Sequence, residues 1–158
     1  MKSRFRPVLF LACLIIPNLT GAVAGLLIAP KTKPVYESLI LPPGAPPAVV
    51  FPIVWTILYL IMGYASYLIA ASGDDKRQTA LGLYGIMLGL LFAWPLIFFL
   101  GEQFGLALAV ILVLDIVAGC TIFAFAKISR PAALLIALCS IWYLFATYLN
   151  AGVWYLNG

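Results

Sequence analysis

Apolar residues along the chain fall into five long blocks, separated by short polar or proline-rich stretches. A membrane-spanning helix needs about 20 mostly apolar residues to cross roughly 30 Å of hydrocarbon, and each block is long enough. Because backbone polar groups in lipid must be satisfied within the segment, continuous helices are the expected form. The pattern therefore predicts an all-α membrane protein, a five-transmembrane-helix bundle forming a single domain over residues 1–158. The predicted spans are residues 7–29, 51–72, 79–100, 104–126 and 131–156.

Composition and charge place the chain in a lipid membrane. Hydrophobic types make up 65% of the 158 residues and charged types only 9%, whereas soluble domains average about 25% charged. The net charge of +4 does not indicate nucleic-acid binding, because the basic residues flank the spans. Most of them lie on one side of the five-span layout, so the positive-inside rule predicts a cytoplasmic N-terminus in a bacterial-type inner membrane. These residues are Lys2, Arg4, Arg6, Lys76, Arg77, Lys127 and Arg130, against Lys31 and Lys33 on the other side.

The first span has an alternative interpretation as a cleaved secretory signal. Basic residues precede the apolar run, and Ala22-Val23-Ala24 is similar to a cleavage site. Pro17 and Asn18 inside the run, and its continuation beyond the site, favour a membrane span instead.

The segment between the first two spans, residues 30–50, is rich in proline. Proline fixes φ, removes a hydrogen-bond donor and biases the preceding residue away from helix. We therefore expect a stiff irregular loop that is either a lid over one end of the bundle or an ordinary connection. The candidate lid residues are Pro42, Pro46, Pro47 and Phe51.

Few side chains inside the spans can carry chemistry. Asp115 lies near the middle of the fourth span, where a charge costs about 2.5–3.5 kcal/mol on insertion scales, so it should face the bundle interior. It is either a proton-linked or ligand-contacting carboxylate or a structural group paired with Thr121 or a tyrosine, and the structural role is favoured. The chain has no histidine, and its three cysteines fit no metal-binding spacing, so we predict no metal site.

Aromatic side chains within the spans are candidates for a ligand pocket. Trp55 and Tyr59 are four residues apart and share a helix face. Indole and phenol rings offer a flat apolar ligand both surface and polar handles. The alternative is an interfacial aromatic belt, which does not suit Trp94 and Trp142, because each lies well inside its span.

Small residues at helical spacing form two patches. Gly21 and Gly25 form one, and Gly82, Gly85 and Gly89 form the other. Such patches let helices approach closely, either inside one bundle or between two subunits of a homodimer.

Three stretches of the chain together carry a specific pattern. Residues 46–63, PPAVVFPIVWTILYLIMG, are close to the pattern PPxWVFPxVWTxLYxxMG. Ala93-Trp94-Pro95 and the two phenylalanines that follow at 98–99 agree with the third helix of the same family, and residues 142–150 agree with its fifth. In these stretches the chain resembles the translocator protein or tryptophan-rich sensory protein family (TspO/MBR), in order and over nearly its whole length.

The resemblance implies a five-helix bundle, often dimeric, whose first loop closes over a pocket open to one leaflet. It also implies a receptor-like or transport-related protein that binds protoporphyrin IX, heme-related tetrapyrroles or sterol-like ligands such as cholesterol and requires no cofactor. The alternatives are a porphyrin-degrading enzyme that acts in light through pocket tryptophans, and a regulatory or structural membrane partner without its own ligand. The positions that match the family's ligand-binding or pocket residues are Trp55, Tyr59, Trp94, Trp142, Ala146 and Asn150.

The chain departs from the family pattern at several positions near this pocket. Val35 stands where the family usually has tryptophan, and Met87 and Leu91 stand where it usually has glutamine and asparagine. The predicted lid therefore loses aromatic surface, and the predicted pocket loses amide groups.

Overall fold

The computed structural model describes residues 5–158, and helices dominate it. The five α-helices are α1 (Pro7–Ser38), α2 (Val50–Ala70), α3 (Arg77–Pro95), α4 (Phe104–Ala126) and α5 (Arg130–Asn157). A π-helical turn, Leu96–Leu100, continues α3. Five helices are long and apolar enough to cross a membrane, counting α3 together with this turn. The predicted all-α, five-helix membrane bundle is therefore confirmed.

The first helix is longer than the sequence predicted. We expected an irregular loop from residue 30, but α1 continues through Pro30 and Pro34 and ends at Ser38, so the loop covers only residues 39–49. A proline inside a helix costs about 3 kcal/mol, and tertiary contacts of the last turn offset part of that cost. Val35 is buried there, and the Tyr36 hydroxyl donates a hydrogen bond into the loop. The prediction from proline content was wrong because it could not include these contacts.

The length of α1 also carries it beyond the apolar part of a bilayer. Its 32 residues rise about 1.5 Å each, which makes it about 48 Å long. The hydrocarbon layer is only about 30 Å thick. A helix of this length either tilts or extends past the hydrocarbon with its proline-containing last turns.

The third span ends in the wider π-helical turn that begins after Pro95. The Gly101 N–H donates to the Leu96 carbonyl, five residues earlier, at 3.1 Å. Such turns widen the helix locally and are frequent at functional sites. Here the turn carries Phe98, which is buried inside the bundle.

The helices form a ring in the order α1, α2, α5, α4 and α3, and α3 with its π turn returns to α1. The Arg6 N–H donates to the Tyr67 hydroxyl at 3.2 Å, which places the start of α1 beside the end of α2. The Asn150 Nδ2 donates to the Phe104 carbonyl at 2.9 Å, which places the start of α4 beside α5. Large side chains from four helices fill the centre of the ring, including Met62, Ile69, Met87, Leu91, Ile111, Leu114, Ile136 and Tyr143.

Candidate ligand-binding cavity

A cavity of about 410 Å³ lies between α1, α2, α3 and α5, beneath the loop of residues 39–49. Small-molecule sites are typically clefts of about 300–1,000 Å³ with mostly apolar walls, so the volume suits a small ligand. Five residues predicted to bind ligand line this cavity, and two of the predicted lid residues close it. The five are Trp55, Tyr59, Trp94, Ala146 and Asn150, and the two are Pro42 and Phe51.

One wall of the cavity consists of stacked aromatic rings. Trp55 stacks on Tyr143, with ring centroids 5.9 Å apart and an interplanar angle of 14°. Its ring also lies 6.2 Å from that of Trp94 and 5.9 Å from that of Tyr59. Packing from several helices holds these rings in place, so they offer a ligand a preformed apolar surface.

Asn150 fixes the position of Trp94 in this wall. Its Oδ1 accepts a hydrogen bond from the Trp94 indole Nε1 at 2.8 Å, and its Nδ2 donates to the Phe104 carbonyl at 2.9 Å. The side chain is 1% exposed and joins α3, α4 and α5. Asn150 therefore positions the wall through both ends of its amide, as expected for a polar side chain deep inside a span.

The loop that forms the roof is held down by side chains from two helices. Asn157 accepts a hydrogen bond from the Ile40 N–H at 2.9 Å and donates to the Ile40 carbonyl at 3.0 Å. The Tyr148 hydroxyl donates to the Pro43 carbonyl at 2.9 Å, and the Tyr36 hydroxyl donates to the carbonyl of Pro46.

Close packing of the loop on α5 adds to these bonds. A Cβ on Gly152 would lie 2.5 Å from the Cβ of Pro42, so only glycine allows the loop to approach this closely. The roof is consequently an ordered part of the bundle.

The cavity opens sideways between α1 and α2. These helices touch where a Cβ on Gly63 would lie 2.9 Å from the Cys13 carbonyl oxygen. They are still in contact at Gly21, where a Cβ would overlap the Tyr59 ring, but one turn later Gly25 has no atom within 4 Å of its Cβ position. The helices therefore separate beyond Gly21, and the gap between them faces the surrounding lipid.

The α1 side of the cavity was missed by the sequence predictions. This side is lined by Asn18, Gly25, Ala29 and Thr32. Phe98 from the π-helical turn also lines the cavity and was missed as well. The available signal was the spacing of small residues along α1, which we interpreted as a surface for helix packing. At Gly21 that interpretation is correct, but at Gly25 the missing side chain leaves room for the cavity instead.

Of the residues predicted to bind ligand or to form the lid, three lie outside the cavity lining. Trp142 packs instead against Phe51, with ring centroids 6.1 Å apart, and its indole Nε1 is buried without a hydrogen-bond partner among the described residues. Pro46 and Pro47 belong to the loop but are not among the residues that face the cavity. The structure does not bring Trp142 into the cavity lining, because the face of α5 that meets the cavity is set by how α5 packs on α2.

Asp115 lies between α4 and α5, away from the cavity. Its Oδ2 accepts a hydrogen bond from the Thr147 hydroxyl at 2.7 Å, and its Oδ1 is buried without a partner in the described part of the chain. The predicted pairing with Thr121 is wrong, because the Thr121 hydroxyl donates to the Val117 carbonyl of its own helix. The contact with a neighbouring helix supports a structural role for this carboxylate.

The glycines predicted to mediate dimer contacts lie on the outer side of α3. No atom of another helix lies within 4 Å of the Cβ positions of Gly82, Gly85 or Gly89. The patch therefore serves no close contact within the bundle, and this face is open to lipid or to another chain.

Residues 5–158 contain no group of three or more histidine, cysteine or acidic side chains able to hold a metal ion. Of the cysteines, Cys13 and Cys139 are buried, whereas Cys120 is exposed on the outer surface.

Comparison with known proteins agrees with this architecture. The model of the TspO/MBR family matches residues 13–156. The chain belongs to the TspO/MBR family. It is 38% identical over 156 residues to the tryptophan-rich protein TspO of Chlorobaculum tepidum, covering 96% of this chain and 98% of that protein. It is 39% identical over 125 residues to the translocator protein of Ovis aries, covering 77% and 74% of the two chains. The tryptophan-rich sensory protein of Cereibacter sphaeroides is 32% identical over 148 residues, covering 94% of this chain and 89% of that protein.

Membership of the TspO/MBR family confirms the resemblance found in the sequence motifs. With five helices able to span a bilayer, this TspO/MBR chain is an integral, multi-pass membrane protein.

Proposed function

We propose that this protein is a membrane receptor or transporter-like protein that binds porphyrin-like or sterol-like apolar ligands in the cavity beneath its first loop. The observation that carries the proposal is the preformed cavity of about 410 Å³ with an aromatic wall and an ordered roof. Flat ring systems suit such a wall, because stacked aromatic pairs add about 0.5–1.5 kcal/mol beyond the apolar area they bury.

The proposed route of entry is the gap between α1 and α2. Hydrogen bonds and close packing hold the roof on α5 and α1. The gap, in contrast, is bordered by small exposed residues, which are Gly25 and Ala29 on α1 and Thr56 on α2. A ligand dissolved in lipid would reach the cavity through this gap without opening the loop.

The proposed orientation follows the charges at the two ends of the bundle. Arg6, Lys76, Arg77, Lys127 and Arg130 lie at one end, and the loop lies at the other. By the positive-inside rule the N-terminus would be cytoplasmic and the loop would face away from the cytoplasm. Lys2 and Arg4, which contribute to this prediction, lie outside the described residues.

Titration with protoporphyrin IX, followed by quenching of tryptophan fluorescence, tests the proposal. We expect saturable quenching that is weakened in Trp55→Phe, because this ring faces the cavity. Trp142→Phe is the matched control, since Trp142 lies outside the cavity lining. Quenching that never saturates, or that depends equally on both tryptophans, would contradict binding in this cavity. A parallel competition with cholesterol tests the sterol-like class.

We also propose that two copies associate through the glycine patch of Gly82, Gly85 and Gly89. The support is that this patch is unoccupied within the bundle, and small residues permit close helix approach in membranes. Gly85→Leu should then shift the protein from dimer to monomer in cross-linking within lipid nanodiscs. Gly119→Leu is the control, because Gly119 is an equally open position on α4. Equal effects of the two substitutions would reject this interface.

A further inference from the structure

We infer that the cavity selects uncharged ligands over carboxylate-bearing ligands with the same ring system. This inference rests on the proposed function, because it specifies the chemical class that the proposed ligand site accepts. It is carried by the lack of charged side chains among the described residues of the cavity walls, by the pairing of the basic residues at the roof end of the bundle and by the direction of the opening.

The walls of the cavity contain no charged side chain within the described chain. A carboxylate moved into apolar surroundings pays a large desolvation cost unless a cation or several donors compensate it. Leu91, which the family pattern usually replaces with an amide, adds further apolar surface to this wall. The walls therefore offer an anion no charge compensation.

The polar groups of the walls are mostly engaged with the protein itself. The Thr32 and Thr56 hydroxyls donate to the carbonyls of Ile28 and Pro52, at 3.0 and 2.7 Å. The Asn18 Nδ2 donates to its own helix in the same way, at 2.8 Å.

Two of the aromatic side chains in the walls, Trp55 and Tyr59, have a polar donor that makes no hydrogen bond within residues 5–158. Neither is charged. The cavity can therefore satisfy a neutral polar group but cannot neutralise two carboxylates.

Basic residues near the roof are already paired with acidic ones. Lys31 Nζ lies 3.9 Å from Glu102 Oε1, and Lys33 Nζ lies 3.8 Å from Glu37 Oε1. These exposed pairs are individually weak, but each cation brings a carboxylate with it. An incoming dianion at this end of the bundle meets as many negative as positive side chains.

The opening between α1 and α2 imposes the same selection during entry. It faces lipid, and ionised groups are strongly disfavoured in hydrocarbon. A neutral ligand can approach within the bilayer, whereas a carboxylate-bearing ligand is held near the aqueous interface.

The test compares protoporphyrin IX with its dimethyl ester, which keeps the ring and removes both charges. Binding is measured in nanodiscs of zwitterionic lipid by tryptophan quenching, after correction for partitioning into empty nanodiscs. Gly25→Leu, which narrows the opening, defines the cavity-specific part of the signal. We expect the ester to bind at least about tenfold more tightly than the diacid, because a carboxylate in apolar surroundings is costly. Equal binding, or tighter binding of the diacid, would overturn the inference.

A charge introduced at the rim provides the reciprocal test. Thr32→Lys should shift the affinity ratio toward the diacid by about fivefold, the upper range for an exposed ion pair, whereas Thr32→Met should not. Glu102→Gln leaves Lys31 without its partner and should also shift the affinity ratio toward the diacid. This variant replaces Thr32→Lys in the test if Thr32→Lys does not fold. An ester preference that neither Thr32→Lys nor Glu102→Gln alters would also overturn the inference. If neither porphyrin gives saturable, Gly25-dependent quenching, porphyrin binding as part of the proposed function fails, and this failure is distinguished from a failure of the inference.

Discussion

Replacing Asn150 with leucine tests the hydrogen-bonded bridge that positions the aromatic wall. Leucine has the same number and branching of side-chain heavy atoms as asparagine, so the substitution removes the amide and leaves no empty space. It leaves the Trp94 indole N–H buried without its partner at 2.8 Å. An unpaired buried donor costs about 1–3 kcal/mol. The Phe104 carbonyl loses less, because it lies in the first turn of α4 and can still accept the helical bond.

We therefore expect Asn150→Leu to lower the free energy of unfolding by about 1–2 kcal/mol, since interhelical hydrogen bonds in membranes average only about 0.6 kcal/mol. The assay is unfolding by sodium dodecyl sulfate in mixed micelles, followed by circular dichroism. The matched control is a double-mutant cycle with Trp94→Phe, which removes the donor.

The cycle isolates the pair from other effects of each substitution. In the Trp94→Phe background, Asn150→Leu should cost about 0.6–1.7 kcal/mol less, which are the average and the maximum coupling measured for such pairs in membranes. Equal costs in both backgrounds would refute the bridge as the reason for the burial of Asn150.

Three further predictions concern the roof, the helix contact and the intramembrane carboxylate. Asn157→Ala should speed hydrogen exchange in residues 39–49 about tenfold, measured by mass spectrometry, because two bonds to the loop are lost; unchanged exchange would contradict this anchor. Gly21→Ala should lower the free energy of unfolding by about 1–3 kcal/mol, because the new methyl group would overlap the Tyr59 ring. Gly25→Ala should leave that free energy unchanged or raise it, because its Cβ position is open. Asp115→Leu should leave stability unchanged or raise it, because a central aspartate costs about 2.5–3.5 kcal/mol to insert; a clear loss in the same unfolding assay would indicate a stronger structural bond.

Much of the fold could be predicted because the bilayer imposes a simple rule on sequence. A span must be long, apolar and helical, and that requirement is visible in one dimension. The predicted starts of the second, fourth and fifth spans lie within one residue of the observed helices α2, α4 and α5. The end of α1 was predicted poorly, because the prolines at 30 and 34 argue locally against a helix that tertiary contacts nevertheless maintain.

The composition of the cavity could be predicted only in part. Family motifs pointed to Trp55 and Trp94, and both line the cavity. The same motifs placed Trp142 there, although its ring packs against Phe51. A motif identifies residue types in order, but the direction in which a side chain points depends on the rotation of its helix against its neighbours.

By itself, the sequence determined that this chain enters a membrane, that five helices cross it and that the family's aromatic residues occur in their usual order. Hydropathy and motif order are properties of the linear sequence, so they can be recognised without knowing any tertiary contact. Only the tertiary structure decided that α1 and α2 separate beyond Gly21 and that Asn157 holds down the roof. It alone also decided which rings face the cavity. These features depend on distances between residues far apart in sequence, and a few ångströms between two helices separate a packed contact from a ligand site.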